Sequence, residues 1–199
     1  MTVLCCLPRS FRRYVCCLSP SRALQQAAQT SQPETVELLT ESQRRIRSMA
    51  LIHEKLYRSG SLAEIDFGDY VESFIDELLR MYNVPLGTVT ITTDIENVQL
   101  GVDTAIPCAL IINELVSYSL KYAFPNGRKE EVTIALKREN GEHTLTVADD
   151  GVGFPADVDF RTTDSLGMQL VVTLVNQLEG TIELNREDET AFVISFHVD

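Results

Sequence analysis

The stretch IINELVSYSLKYAF, Ile111 to Phe124, decides how the rest of the chain is read. It belongs to a run from Thr104 that is apolar around most of its girth until Tyr122, the pattern of a helix buried on several sides. Pro107 is then expected in the first turn, where a missing N–H leaves no hydrogen bond unmade. Pro125, Asn126 and Gly127 end the helix. Its middle carries a polar pair, Asn113 and Glu114. An unpaired buried carboxylate is costly. Glu114 is therefore either neutralised by Lys121 or a backbone donor, or it belongs with Asn113 to a polar wall that faces a ligand.

Working outward, the residues that flank this helix alternate. Val89 and Ile91 alternate with Thr88, Thr90 and Thr92, and a short strand follows at Val98 to Leu100. Val132, Ile134 and Leu136 form one strand, and Leu145 and Val147 another. Asn140-Gly141 supplies a tight hairpin turn between them. That second strand runs into ADDGVGF, Ala148 to Phe154. In isolation Asp and Gly here mean only a turn. Phe154 to Asp164 has no period and reads as a loop. Ser165 opens a helix through SLGMQL to Leu178, closed by Gly180. Thr181 to Leu184 and Ala191 to Val198 are the last strands. Consecutive hairpins with interspersed helices predict an α+β fold, a two-layer sandwich with helices on one face of a mixed sheet. The strict βαβ alternation of a doubly wound fold is absent.

Upstream, Asp66 is placed to cap a helix through FGDYVESFIDELLRMY, whose wide apolar face is Phe67, Tyr70, Val71, Phe74, Ile75, Leu78 and Leu79. Before it, Pro33 opens a long helix that ends at Gly60. Leu39, Ile46, Met49, His53 and Leu56 form a narrow stripe on it, suited to a bundle or coiled-coil seam, with residues 34–59 a possible homodimer contact. Residues 1–22 match no period and are read as an atypical or disordered N-terminus. The expected division is thus 1–22, a helical region 23–60, and a sandwich domain 61–199.

The net charge is −12. Residues 1–33 carry Arg9, Arg12, Arg13 and Arg22 and no acid, leaving −16 on the rest. Such a surface argues against nucleic acid, whose phosphates need clustered Lys and Arg. Cys5, Cys6, Cys16 and Cys17 lack both C-x-x-C spacing and a nearby His, so zinc is not expected. Cys108 reads as a small buried apolar residue, and the overall usage fits a reducing cytoplasm. No apolar run is long enough for a membrane span.

Together, the order and separation of the Asn-Glu helix, the Asp-x-Gly-x-Gly turn and the later Gly resemble the nucleotide site of the ATPase superfamily shared by gyrase, MutL and the histidine kinases. SQRRIRSMALIHEKLY resembles the second dimerisation helix of one subclass of bacterial sensor histidine kinases. DTAIPCALIINELVSYSLKYAF resembles the ATP-binding helix of the same subclass. The likeness spans residues 24–199 and implies ATP and Mg²⁺ as ligands. By that resemblance, Asp149 receives the adenine amino group, and Gly151 and Gly153 let the backbone approach the base. Asn113 and Glu114 face the phosphates and metal as the catalytic pair, with Lys121 and Tyr122 two turns on. Phe154 to Asp164 corresponds to the flexible lid. Gly167, Met168 and Leu170 match the second glycine box, at a helix N-terminus that attracts phosphate. Thr190 matches a late Thr that approaches the phosphates, with Glu189 in place of the usual preceding Gly.

Two departures qualify the likeness. Tyr118 stands where the family places an Asn that binds Mg²⁺, and a phenol is a poor ligand for a hard cation. Asn113 is then the remaining metal contact. No His lies in residues 1–23, where the family's phosphoacceptor helix is expected, and His53 falls in the bundle stripe. The family reaction moves the γ-phosphoryl of ATP to a protein His and onward to a response regulator. The sequence leaves three readings: an impaired or truncated kinase module, a non-catalytic partner that binds a kinase or response regulator, and a superfamily ATPase or protein-serine kinase.

Overall fold

The structure is a computed structural model. It describes residues 65–82, 84, 88–95, 98–123, 130–187 and 189–198, with Leu39, Thr40, Ser42, Gln43, Ile46 and Ala50 before them. The chain divides into two compact units, residues 1–47 and 48–199. In the first, Leu39, Thr40, Ser42, Gln43 and Ile46 are helical, with Leu39 half-buried and Ile46 exposed. Residues 1–22 and the stripe positions Met49, His53 and Leu56 lie outside the described residues.

The second unit is the expected α+β sandwich. Strand β1 (Ile65–Asp66) leads into α1 (Phe67–Met81), followed by β2 (Val89–Ile95), β3 (Gln99–Leu100) and α2 (Val102–Tyr118). Then come β4 (Glu130–Glu139), β5 (Glu142–Asp149), α3 (Leu166–Gln177), β6 (Thr181–Asn185) and β7 (Thr190–His197). The main sheet has the order β2-β4-β5-β7-β6. β2 and β4 are parallel and every other pair in it is antiparallel. A parallel pair needs a long crossover, and α2 provides it. β1 and β3 form a small antiparallel pair of their own.

Each element has a local cause. Asp66 accepts the Asp69 N–H at 3.3 Å and caps α1, whose buried stripe is Phe67, Tyr70, Val71, Phe74, Ile75 and Leu78. Asn140 (φ 52°) and Gly141 (φ 90°) close the β4–β5 hairpin, the two positive φ values that a two-residue primed turn requires. The helix-facing side of the sheet is a continuous apolar layer that includes Ile134, Leu136, Leu145, Val147, Phe192 and Ile194. α2 is buried on most sides as its sequence demands, packed between β5 and α3. Cys108 lies fully buried there, and burial pushes its thiol pKa up, which makes it inert.

Four local expectations are corrected. α2 begins at Val102 with Gly101 as its N-cap, so Pro107 lies inside the helix and not in its first turn. The α-helix also stops at Tyr118 and passes into a π turn, Ser119–Ala123. Ser165 holds the N-cap position of α3, but its side chain makes no capping bond. At the other end, the left-handed residue is Glu179 (φ 52°), not Gly180. Glu179 N–H donates to Asn176 and Gly180 N–H to Val175, the paired bonds of a Schellman closure. Gly180 is needed for a different reason. A Cβ there would lie 2.5 Å from the carbonyl oxygen of Ser195 on β7.

These two positions make opposite predictions. Glu179→Gly is expected to stabilise the domain by about 0.5–1 kcal/mol, because only the left-handed strain is removed. Gly180→Ala is expected to destabilise it by about 2 kcal/mol, because strand β7 must give way. Urea unfolding of both variants beside the parent checks the pair, and a loss of stability in Glu179→Gly would refute the assignment of strain.

Candidate functional site

Asp149 is the last residue of β5 and points to the helix side of the sheet, directly opposite Thr190 of β7. It is only 5% exposed. Its Oδ2 accepts the Ser119 hydroxyl at 2.8 Å, and its Oδ1 accepts the Gly151 N–H at 3.1 Å. Burial raises its pKa above the usual carboxylate value, the bonds from Ser119 and Gly151 act against that rise, and Asp150 adds to it. The result is an oriented acceptor with lone pairs to spare, suited to a planar amino group. Ser119 was not singled out in the sequence. A small hydroxyl in a buried run, with an Asp closing the neighbouring strand, was the available signal.

The turn after Asp149 is fastened to the end of α2. Val152 N–H donates to the Ala123 carbonyl at 2.8 Å, and Asp150 and Glu131 exchange bonds that tie the turn to β4. The two glycines differ in kind. A Cβ at Gly151 would lie 2.4 Å from the Ala123 Cβ, so the absent side chain makes room for this protein's own helix. Gly153 has open space around it but φ 90°, so it is there for backbone conformation.

Asn113 and Glu114 are both buried in α2. Asn113 Nδ2 donates to Glu114 Oε1 at 3.0 Å, so Asn113 itself supplies a partner that the sequence had suggested in Lys121. Asn113 Oδ1 and Ser117 Oγ are buried with no hydrogen-bond partner among the described residues. Lys121 is exposed, with Nζ 5.1 Å from the Tyr122 ring centre. Among the described residues no group of three His, Cys, Asp or Glu side chains could hold a metal. An ion here would draw on amide oxygens and on the ligand's own oxygens.

Tyr118 is committed to aromatic packing. Its ring stacks on Phe154 at 5.3 Å and meets Tyr122 at 4.9 Å, and burial raises its phenol pKa. Phe154 and Phe160 both pack edge-on against Phe192. The loop between them is tied down. Arg161 Nη2 donates to the Ile182 carbonyl at 2.6 Å, and Arg186 Nη2 to the Val158 carbonyl at 3.0 Å. Arg186 also lies over Phe154 and Arg161 over Phe160. The segment expected to be a flexible lid is therefore docked onto β6 and β7 along Val158 to Arg161.

At α3, Gly167 is in the first turn and buried, Met168 is a core residue, and Leu170 is half-buried. Leu166, Val152 and Tyr122 are exposed apolar residues. Thr190 is buried in register with Asp149, so it belongs with that carboxylate, while Glu189 is exposed and turned to solvent. His143 lies at the far end of β5, stacked on Phe196, and burial lowers its pKa. His197 is exposed.

A five-stranded mixed sheet with a long buried helix packed against it fits the ATPase-type sandwich that the sequence resembles. Comparison with known proteins agrees. Residues 103–199 match the family described as histidine kinase-, DNA gyrase B-, and HSP90-like ATPase, and residues 21–82 match a histidine kinase family. The chain belongs to the histidine kinases. It is 35% identical over 177 residues to the sensor histidine kinase PdtaS of Mycobacterium tuberculosis, covering 85% of this chain and 34% of that protein. A blue-light-activated histidine kinase of Erythrobacter litoralis is 24% identical over 146 residues, covering 72% of this chain and 42% of that protein. The chain thus spans about a third of the length of the PdtaS relatives. In fold it is similar to the histidine kinase domain of Erythrobacter litoralis EL346, with TM-score 0.68 and 23% identity over 78% of this chain and 73% of that one. Among the described residues no helix is long and apolar enough to cross a membrane.

The buried carboxylate predicts a pH-dependent stability. The raised pKa of folded Asp149 means that its contribution is most favourable below the unfolded value of about 3.9 and is lost as pH rises through the folded value. Asp149→Asn removes that penalty. The variant is expected to melt above the parent at pH 7, with the gain vanishing as the pH approaches 4. A lower melting temperature at pH 7 would show that the charge is net stabilising.

Proposed function

We propose that this chain is the ATP-binding, catalytic end of a two-component sensor kinase that works in the cytoplasm. It binds ATP, with the adenine amino group on Asp149 and the base beside Gly151 and Gly153. Gly167 at the start of α3, Lys121 and Tyr122 serve the phosphate side, with Met168 and Leu170 behind them. Thr190 supports the adenine end. Glu114 and Asn113 are the polar pair nearest the chemistry. The family reaction transfers the γ-phosphoryl to a protein His, and a response regulator is the onward partner. Residues 34–59 supply the contact with a second copy. The observation that carries this reading is Asp149, buried at the end of a central strand with both oxygens held by Ser119 and Gly151. Burying a carboxylate costs stability, and groups whose ionisation is perturbed in this way cluster at functional sites.

The donor set suits Mg²⁺ at one point. Asn113 Oδ1 is an unused buried amide oxygen, the type of atom a hard cation takes. Bound there, the ion would neutralise phosphate charge, and Asn113 would orient it. Tyr118 contributes no such oxygen while its ring is packed on Phe154. That packing favours a second reading, a module that binds nucleotide but transfers phosphoryl groups poorly and acts as a partner of another kinase.

Calorimetry with ATP, with and without Mg²⁺, separates these. The parent is expected to bind, and Asp149→Asn to lose affinity at least about tenfold while keeping its circular dichroism, as for a lost bond to a charged group. No binding by the parent would refute the nucleotide reading. Tyr118→Asn is expected to make ATP binding Mg²⁺-dependent and to raise transfer to an added His-containing kinase domain. Strong Mg²⁺ dependence in the parent, unchanged in the variant, would rule out impairment at Tyr118.

A further inference from the structure

Ser119 lies where three constraints meet. It begins the π turn that ends α2, it is 4% exposed, and its Oγ is 2.8 Å from Asp149 Oδ2 and 3.2 Å from the Leu115 carbonyl. A hydroxyl has one proton. The shorter contact, to the charged acceptor, takes it. The Leu115 carbonyl is already served by the Ser119 backbone N–H, so it makes no competing demand.

Gly151 N–H holds the other oxygen. One anchor would let the carboxylate swing about that bond. Two anchors, on two different oxygens and from two different elements, fix its plane. π turns often mark functional places in helices, and this one starts at the residue whose side chain reaches the strand end.

We propose that Ser119 is a positioning residue, whose hydroxyl fixes the plane of the Asp149 carboxylate for the exocyclic amino group of a bound adenine. This rests on the nucleotide reading above and adds a residue to it. The ionised carboxylate is the stronger acceptor for that amino group. Burial and Asp150 in the turn disfavour the ionised form, and the Tyr118 phenol on α2, its own pKa raised, is the other titratable group that faces Asp149. Ser119 and the Gly151 N–H are the groups that oppose them.

The test compares Ser119→Ala and Ser119→Thr with the parent by calorimetry, using ADP and, separately, inorganic tripolyphosphate, from pH 8 to pH 5. Ser119→Ala is expected to bind ADP about tenfold more weakly at pH 7.5, as for loss of a charge-assisted hydrogen bond. Its loss of ADP affinity on acidification is expected at higher pH than in the parent. Tripolyphosphate, which has no base, is expected to bind both alike, and Ser119→Thr to restore ADP binding. A Ser119→Ala variant with the parent's ADP affinity and pH profile overturns the proposal. So does equal weakening toward ADP and tripolyphosphate, which would mark a general packing defect. A parent that binds no ADP overturns the nucleotide reading itself and this role with it.

Discussion

A Cβ added to Gly151 would lie 2.5 Å from the Ala123 carbonyl oxygen, so the turn after β5 and the end of α2 meet backbone to backbone. That approach is the constraint from which the site follows. It allows the Val152–Ala123 bond, which fixes the turn, and it keeps the start of the π segment within hydrogen-bonding reach of Asp149. An α-helix that ran straight past Tyr118 would present its side chains at different angles. The widened turn and the missing side chain are two halves of one fit. The sheet side of this fit is rigid, because β5 is paired on both edges, by β4 and β7.

Aromatic rings carry the same constraint outward. Tyr118 of α2 stacks on Phe154, Phe154 meets Phe192 of β7, and Phe192 meets Phe160. Each such pair contributes about 0.5–1.5 kcal/mol beyond its burial. The two arginines close the arrangement by bonding backbone carbonyls across the loop and β6. Tyr118, which stands where the sequence resemblance expects a metal-binding Asn, is thus the inner anchor of a docked loop. An Asn at 118 would keep a polar oxygen there but give up the ring that Phe154 rests on.

The sheet, its hairpins and the three helices were legible because period and punctuation agree over long windows. β4, β5 and α1 show this most clearly, with Asn140-Gly141 and Asp66 as their signals. The ends of helices were less legible. Pro107 suggests a helix start, yet α2 is so completely buried that packing outweighs the loss of one backbone bond. Gly180 suggests the left-handed residue, but close approach to β7 claims it, and Glu179 takes the strained conformation. At the site, Asp149, Gly151 and Gly153 stood out as a motif, while Ser119 did not. Its role depends on a strand thirty positions away and on a π turn that no local pattern announces.

The distribution of buried polarity gives the strongest physical argument for a site. Six polar side chains are buried in the described domain: Asn113, Glu114, Ser119, His143, Asp149 and Thr190. His143 is the outlier, a neutral ring stacked on Phe196 at the opposite end of β5. The others gather on the second half of α2 and on the paired ends of β5 and β7. A core selected for stability alone would replace such a group with apolar residues of similar volume, a change that is often neutral or favourable. Satisfying them within the protein explains Ser119 and Glu114. It does not explain Asn113 Oδ1, which remains without a partner among the described residues although its own amide nitrogen is used. An acceptor held in place and left open beside a paired carboxylate is what a binding site keeps and a finished core removes.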